Sequence, residues 1–185
     1  QSPAAVRTGT ALDNWISRTT AHEVTNVKLV RGNYYVLHEV SAPAGYAVAA
    51  DVVFQVPVTG DITVVMEDKI GVGRVDLTKL DRDTGATLAG AEFSLYRVTT
   101  AGSERVYADG TRGAYVYSDT AANGTFVVNA AGRLEITMLP FGDYYFTETK
   151  APTGYTLNTA PISFTVSDTD VSASVVCRNT KEENS

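Results

Sequence analysis

Apolar and polar residues alternate with period two over much of the chain, and no stretch sustains a period of 3.6. Alternation of this kind marks strands with one face in a core and the other in water. It predicts strands over Arg74–Leu80, Ala91–Val98, Arg105–Tyr107, Tyr115–Ser118, Arg133–Met138, Tyr144–Glu148, Ile162–Val166 and Val171–Asn179. Turn chemistry falls between them at Asp81-Arg82-Asp83-Thr84-Gly85, Asp109-Gly110, Asn123-Gly124 and Phe141-Gly142-Asp143. Short strands with frequent turns imply an all-β fold of antiparallel sandwiches. The stretch from Thr99 to Ala131, rich in Gly, Thr and Ala, reads as a decorated loop with a hairpin.

One segment occurs twice. Glu39-Val-Ser-Ala-Pro-Ala-Gly-Tyr46 and Glu148-Thr-Lys-Ala-Pro-Thr-Gly-Tyr155 each follow an aromatic alternating run and precede further apolar alternation. Such a repeat predicts two tandem domains of one type, residues 1–70 and 71–185, joined through Lys69-Ile70-Gly71-Val72-Gly73. The first domain supplies candidate middle strands at Leu12–Ser17 and Glu23–Val27, but nothing like Val75-Asp76-Leu77-Thr78-Lys79. Its opening strand is missing, cut away or contributed by another chain.

Composition narrows the function. A net charge of −6 with scattered cations opposes nucleic-acid binding, and no apolar run approaches the roughly 20 residues of a membrane span. With Cys177 as the sole cysteine, no disulfide reinforces either domain.

Parity places charge where it does not belong. Val75, Leu77 and Lys79 share one face of their strand; so do Tyr144, Phe146 and Glu148; so do Val171, Ala173, Val175, Cys177 and Asn179. Each inward apolar row ends in a polar residue, and an inward lysine beside an inward glutamate is costly unless paired or neutralised. Desolvation disfavours the charged forms of amines and carboxyls alike. A neutral lysine amine is a nucleophile, and a carboxamide carbon is an electrophile. A protonated Glu148 would hydrogen-bond the Asn179 carbonyl oxygen, stabilise the oxyanion and carry a proton to departing ammonia. The product is an amide cross-link between first and last strands, a single-turnover self-modification and not enzymatic turnover. The competing reading is a non-covalent buried ion pair.

The run Val75-Asp76-Leu77-Thr78-Lys79-Leu80-Asp81, with Thr84-Gly85, Leu88, Gly90-Ala91, Phe93 and Leu95-Tyr96, resembles the opening of the collagen-adhesin B-type (CnaB, SpaA-like) repeat. Tyr144-Tyr145-Phe146-Thr147-Glu148 with Ala151-Pro152-Thr153-Gly154-Tyr155 is similar to the same family's glutamate-bearing box. The resemblance implies a prealbumin-like, inverse immunoglobulin-like sandwich of the kind that builds pilus shafts and adhesin stalks on Gram-positive bacteria. It implies Lys79 as isopeptide donor, Asn179 as acceptor and Glu148 as catalytic acid. In the first domain Glu39 matches the catalytic position, and Asp68, after Ile62, Val64 and Met66, matches the acceptor. Lys28 and Lys69, the only lysines there, are badly placed to react, so Asp68 and Glu39 either await an external lysine or form a protonated carboxyl pair.

Other candidates reduce to structure. Asp81–Gly85 lacks the later ligands of a calcium loop, His22 and His38 have no metal-ligand partners, and Cys177 reads as an inert core residue. No metal or cofactor is expected. The expected role is a stalk or shaft segment at the Gram-positive cell wall, with neighbouring domains or pilin subunits, and a donor strand for the first domain, as partners. The alternative is a host-ligand adhesin module, binding extracellular matrix through the 99–131 loop or the open edge of the first domain.

Overall fold

A computed structural model describes residues 10–18, 20–25 and 28–183. Its strands are β1 (Tyr34–Leu37), β2 (Tyr46–Ala47), β3 (Val52–Gln55), β4 (Lys69–Ile70), β5 (Val72–Asp81), β6 (Glu92–Thr99) and β7 (Gly102–Arg105). They continue as β8 (Ala108–Thr111), β9 (Ala114–Tyr117), β10 (Phe126–Val127), β11 (Arg133–Pro140), β12 (Gly142–Lys150), β13 (Ile162–Val166) and β14 (Ser172–Asn179). The chain divides into two compact units. One comprises residues 1–42 and 48–69, the other 43–47 and 70–185.

The second unit is a two-layer β-sandwich. One sheet runs β10-β6-β12-β13, with β7 joining β6, and the other runs β14-β5-β11-β9-β8. Alternation drives the assembly: Val75 and Leu77 of β5, Leu134 and Ile136 of β11, Phe93 and Leu95 of β6, and Tyr144 and Phe146 of β12 are all buried between the sheets. Phe93 and Phe146 meet edge-on at 5.8 Å, a favoured aromatic geometry. Tyr144 satisfies its hydroxyl on the Pro140 carbonyl at 2.5 Å, and burial pushes its pKa up to about 12. Most pairs are antiparallel, but β14 lies parallel to β5, and β9 parallel to β11. Gly73 permits the close approach of β14: a Cβ there would lie 2.4 Å from the Val171 carbonyl oxygen.

Two local expectations are corrected. The span from Thr99 to Ala131 holds the expected hairpin, β8–β9, but is more than a decorated loop: β7 and β10 join one sheet and the hairpin joins the other. Asp109-Gly110 lies within β8, and the turn falls at Arg112-Gly113. In β11 the register slips between Ile136 and Leu139, where Met138 adopts φ 59° with its side chain exposed. A bulge of this kind shifts a strand's facing residues.

The first unit carries a two-stranded sheet of β1 and β3. Strands β1 and β3 pair antiparallel, with Tyr35 opposite Phe54, as β12 and β13 pair with Tyr144 opposite Phe164. Leu12–Ser17 forms no strand; Glu23–Thr25 forms none either, and Asn26 and Val27 lie outside the described residues. Residues 62–68 are also unpaired as a strand. In the second unit the closing strand β14 pairs with β5 among the described residues, and no described strand of the first unit takes that place beside residues 62–68.

Candidate cross-linking site

The parallel β5–β14 ladder sets Cys177 opposite Lys79 and Asn179 opposite Asp81. Lys79 and Asn179 are therefore diagonal neighbours on the inward face, and both are fully buried. Across the sandwich, β12 pairs with β6 so that Glu148 lies opposite Phe93 and points into the same region. The Lys79 and Glu148 side chains have no exposure, with Nζ 3.4 Å from Oε1. Three polar groups from three strands thus converge in an apolar interior, which demands mutual satisfaction.

The hydrogen bonds assign each atom a side. Asn179 Nδ2 donates to Glu148 Oε2 at 2.8 Å and to the Thr156 carbonyl at 3.0 Å. Asn179 Oδ1 faces Lys79 Nζ, its hydrogen-bond donor. Lys79 Nζ also donates to the Cys177 carbonyl at 3.5 Å. The Asn158 backbone N–H donates to Glu148 Oε2 at 2.7 Å. Glu148 Oε1 accepts no hydrogen bond among the described residues and faces only the lysine. The expectation that Glu148 bonds the Asn179 carbonyl is thus corrected: it bonds the amide nitrogen. The Thr156 carbonyl can only accept, so Nδ2 must point towards it and Oδ1 away.

The repeated box explains how the closing strand is held. Gly154 (φ 82°) closes a turn in which Tyr155 N–H bonds the Pro152 carbonyl. Beyond the turn, Thr156 N–H bonds the Thr180 carbonyl at 3.0 Å, and Asn158 Nδ2 bonds the Arg178 carbonyl at 3.1 Å. Tyr155 donates its hydroxyl to Asp81 Oδ2 at 2.7 Å, while Asp81 Oδ1 caps the backbone N–H groups of Asp83 and Thr84. Those bonds, first from Thr84 and then from Tyr155, hold the Asp81 carboxyl down to about 2. Tyr155, Thr156, Asn158 and Asp81 are site residues that parity alone does not reveal, because their contacts arise from a turn. The identity of Tyr46 with Tyr155 was the available signal.

The first copy reproduces part of this geometry. Ala49 N–H donates to Glu39 Oε2 at 2.6 Å, ten residues along, as Asn158 does to Glu148. Asp68 lies beside Glu39, and its pKa is raised by burial first and by the neighbouring Glu39 second. Among the described residues no ion pair reaches either carboxyl. Glu39 and Asp68 are brought together; no lysine joins them.

The profile described as SpaA, a prealbumin-like fold domain, matches residues 73–181. The chain belongs to this family. The matched residues include both strands that carry the lysine and the asparagine, and the strand that carries the glutamate. Among solved structures, the Bacillus anthracis TIE protein is 25% identical with a TM-score of 0.59, over 80% of this chain and 25% of that one. A streptococcal ancillary pilin is 27% identical with a TM-score of 0.50, over 84% of this chain and 44% of its own. GBS52, the minor pilin of Streptococcus agalactiae, shares the fold at 24% identity and a TM-score of 0.52, over 74% and 55%. The chain spans between 25% and 55% of the length of these proteins. A search of curated protein sequences finds no match.

Proposed function

We propose that the chain is a tension-bearing segment of a Gram-positive surface pilin or adhesin stalk, and that its second unit closes an isopeptide bond between Lys79 and Asn179. The observation that carries this reading is the fully buried contact of Lys79 Nζ with the Asn179 carboxamide beside Glu148. The likeness to an ancillary pilin and membership of the SpaA family agree with it.

Glu148 bridges nucleophile and leaving group, with Oε1 on Lys79 Nζ and Oε2 on Asn179 Nδ2. Oε1 takes a proton from the ammonium, and the neutral amine attacks Cγ of Asn179. The carbonyl π pair moves to Oδ1. Nδ2, no longer conjugated, becomes basic and accepts a proton from the carboxyl, which takes another from Nζ. Collapse reforms the carbonyl and expels ammonia. One C–N bond forms, one breaks, and Glu148 ends protonated.

The bond would join residues 100 apart. Tension entering at β5 and leaving after β14 would pass through it and spare the strands between. In the first unit, the Glu39–Asp68 pair fits an incoming strand with an inward lysine, from the same polypeptide or another, with water as the leaving group. Incubation with a peptide of the sequence Arg74–Asp81 tests this: an adduct lighter than the sum by one water supports it, and absence of binding and adduct removes it. Assembly with neighbouring subunits at the cell wall completes the reading.

Tryptic mapping tests the bond itself. The expected product is a branched peptide joining residues 75–82 to 179–181, uncut at Lys79. Free cleavage after Lys79 would refute it.

A further inference from the structure

Glu148 leaves one charge of the reaction unattended. Both of its oxygens serve nitrogen atoms, Oε1 on Lys79 Nζ and Oε2 on Asn179 Nδ2. The negative charge of the tetrahedral intermediate develops on Oδ1, the opposite side of the carboxamide. Once Nζ is bonded to Cγ, it is too close in angle to donate well to an oxygen on the same carbon. An unsolvated oxyanion needs another donor.

The remaining donor recorded on Oδ1 among the described residues is the Cys177 thiol, with Sγ 3.8 Å away. Strand parity sets it there: Cys177 and Asn179 are two residues apart on β14, on the same inward face. Asn158 Nδ2 donates to Sγ at 3.7 Å, occupying a sulfur lone pair and leaving the S–H free for Oδ1. Burial pushes the thiol pKa up, with the nearby Lys79 opposing, so the group keeps the proton it would donate.

We infer that Cys177 is the oxyanion donor of the cross-linking reaction, its S–H bonding Oδ1 of Asn179 as the Nζ–Cγ bond forms. The inference rests on the isopeptide reading. It gives a role to a residue that sequence pattern assigns to inert packing. Losing a good oxyanion donor slows catalysis by about 100- to 1,000-fold. A thiol is a weaker donor, so removing it should slow closure by about 10-fold.

The test follows bond formation in the full chain made by cell-free synthesis, quenched in denaturant at intervals and read as loss of about 17 Da, one ammonia. Wild type, C177A, C177V and C177S are compared. A defect in folding lowers the final extent of conversion, whereas a lost donor lowers the rate and leaves the final extent intact. The expected result is about 10-fold slower closure in C177A and C177V, with most of the rate restored in C177S, whose hydroxyl donates. Equal rates in all four, or C177S as slow as C177A, would overturn the inference while the bond itself stands. A wild type that never loses ammonia would overturn the isopeptide reading and this role with it.

Discussion

Replacing Lys79 and Glu148 together by apolar residues separates a covalent site from a buried ion pair. Both side chains are fully enclosed, so the double variant Lys79→Met/Glu148→Leu fills their space without leaving a lone buried charge. If the pair were only electrostatic, such an exchange would be neutral or would stabilise by about 1–4 kcal/mol. If Lys79 is bonded to Asn179, the exchange opens a loop of 100 residues. In the chain-entropy model, loss of that closure costs about 4.7 kcal/mol. For a domain near this size each kcal/mol moves Tm by roughly 4–6 °C, so the shift should be about 20–30 °C. The single variant Lys79→Met should fare worse still, since it also strands the Glu148 carboxyl. Calorimetry on the intact chain reads both. A double variant melting within about 3 °C of wild type, on the same scale, would refute the covalent argument and leave an ordinary buried pair.

Other consequences follow from neighbouring residues. The Asp81 carboxyl, held down to about 2 mainly by Thr84 and Tyr155, contributes stability that is present above its ordinary value of 3.8 and is lost as pH falls towards 2. Tyr155→Phe removes one donor, so the Asp81 titration seen by NMR should move up and the acid-unfolding midpoint should rise; an unmoved titration would contradict the assigned hydrogen bond. Met138 at φ 59° occupies a backbone region that costs an L-residue about 1–2 kcal/mol. Since its side chain is exposed, Met138→Gly should stabilise the domain by about 0.5–1 kcal/mol after glycine's entropic cost, and a lower Tm would show that the bulge is not strained.

Much of the second unit is legible because strand parity needs no tertiary information. Val75, Leu77 and Lys79 had to face one way, and so did Phe146 and Glu148; the structure closes two sheets over those faces. Non-local pairing is another matter. Nothing in Gly102–Tyr117 announces that β9 will run parallel to β11, or that a bulge will put Met138 outside. The first unit differs for a related reason: residues 62–68 carry an inward row at Ile62, Val64 and Met66, but alternation supplies no hydrogen-bond partner, and Leu12–Ser17, placed by its position before the repeat, forms no strand. At the site, residue identities could be read but the orientation of Asn179 could not. The Thr156 carbonyl decides it, from a turn whose path the sequence pattern leaves open.

Intact mass of the denatured chain, beside a Glu148→Ala variant, tests the central claim most directly. The account predicts a wild type lighter than its sequence by one ammonia, about 17 Da, and a variant at full mass. A wild type at full sequence mass would contradict it.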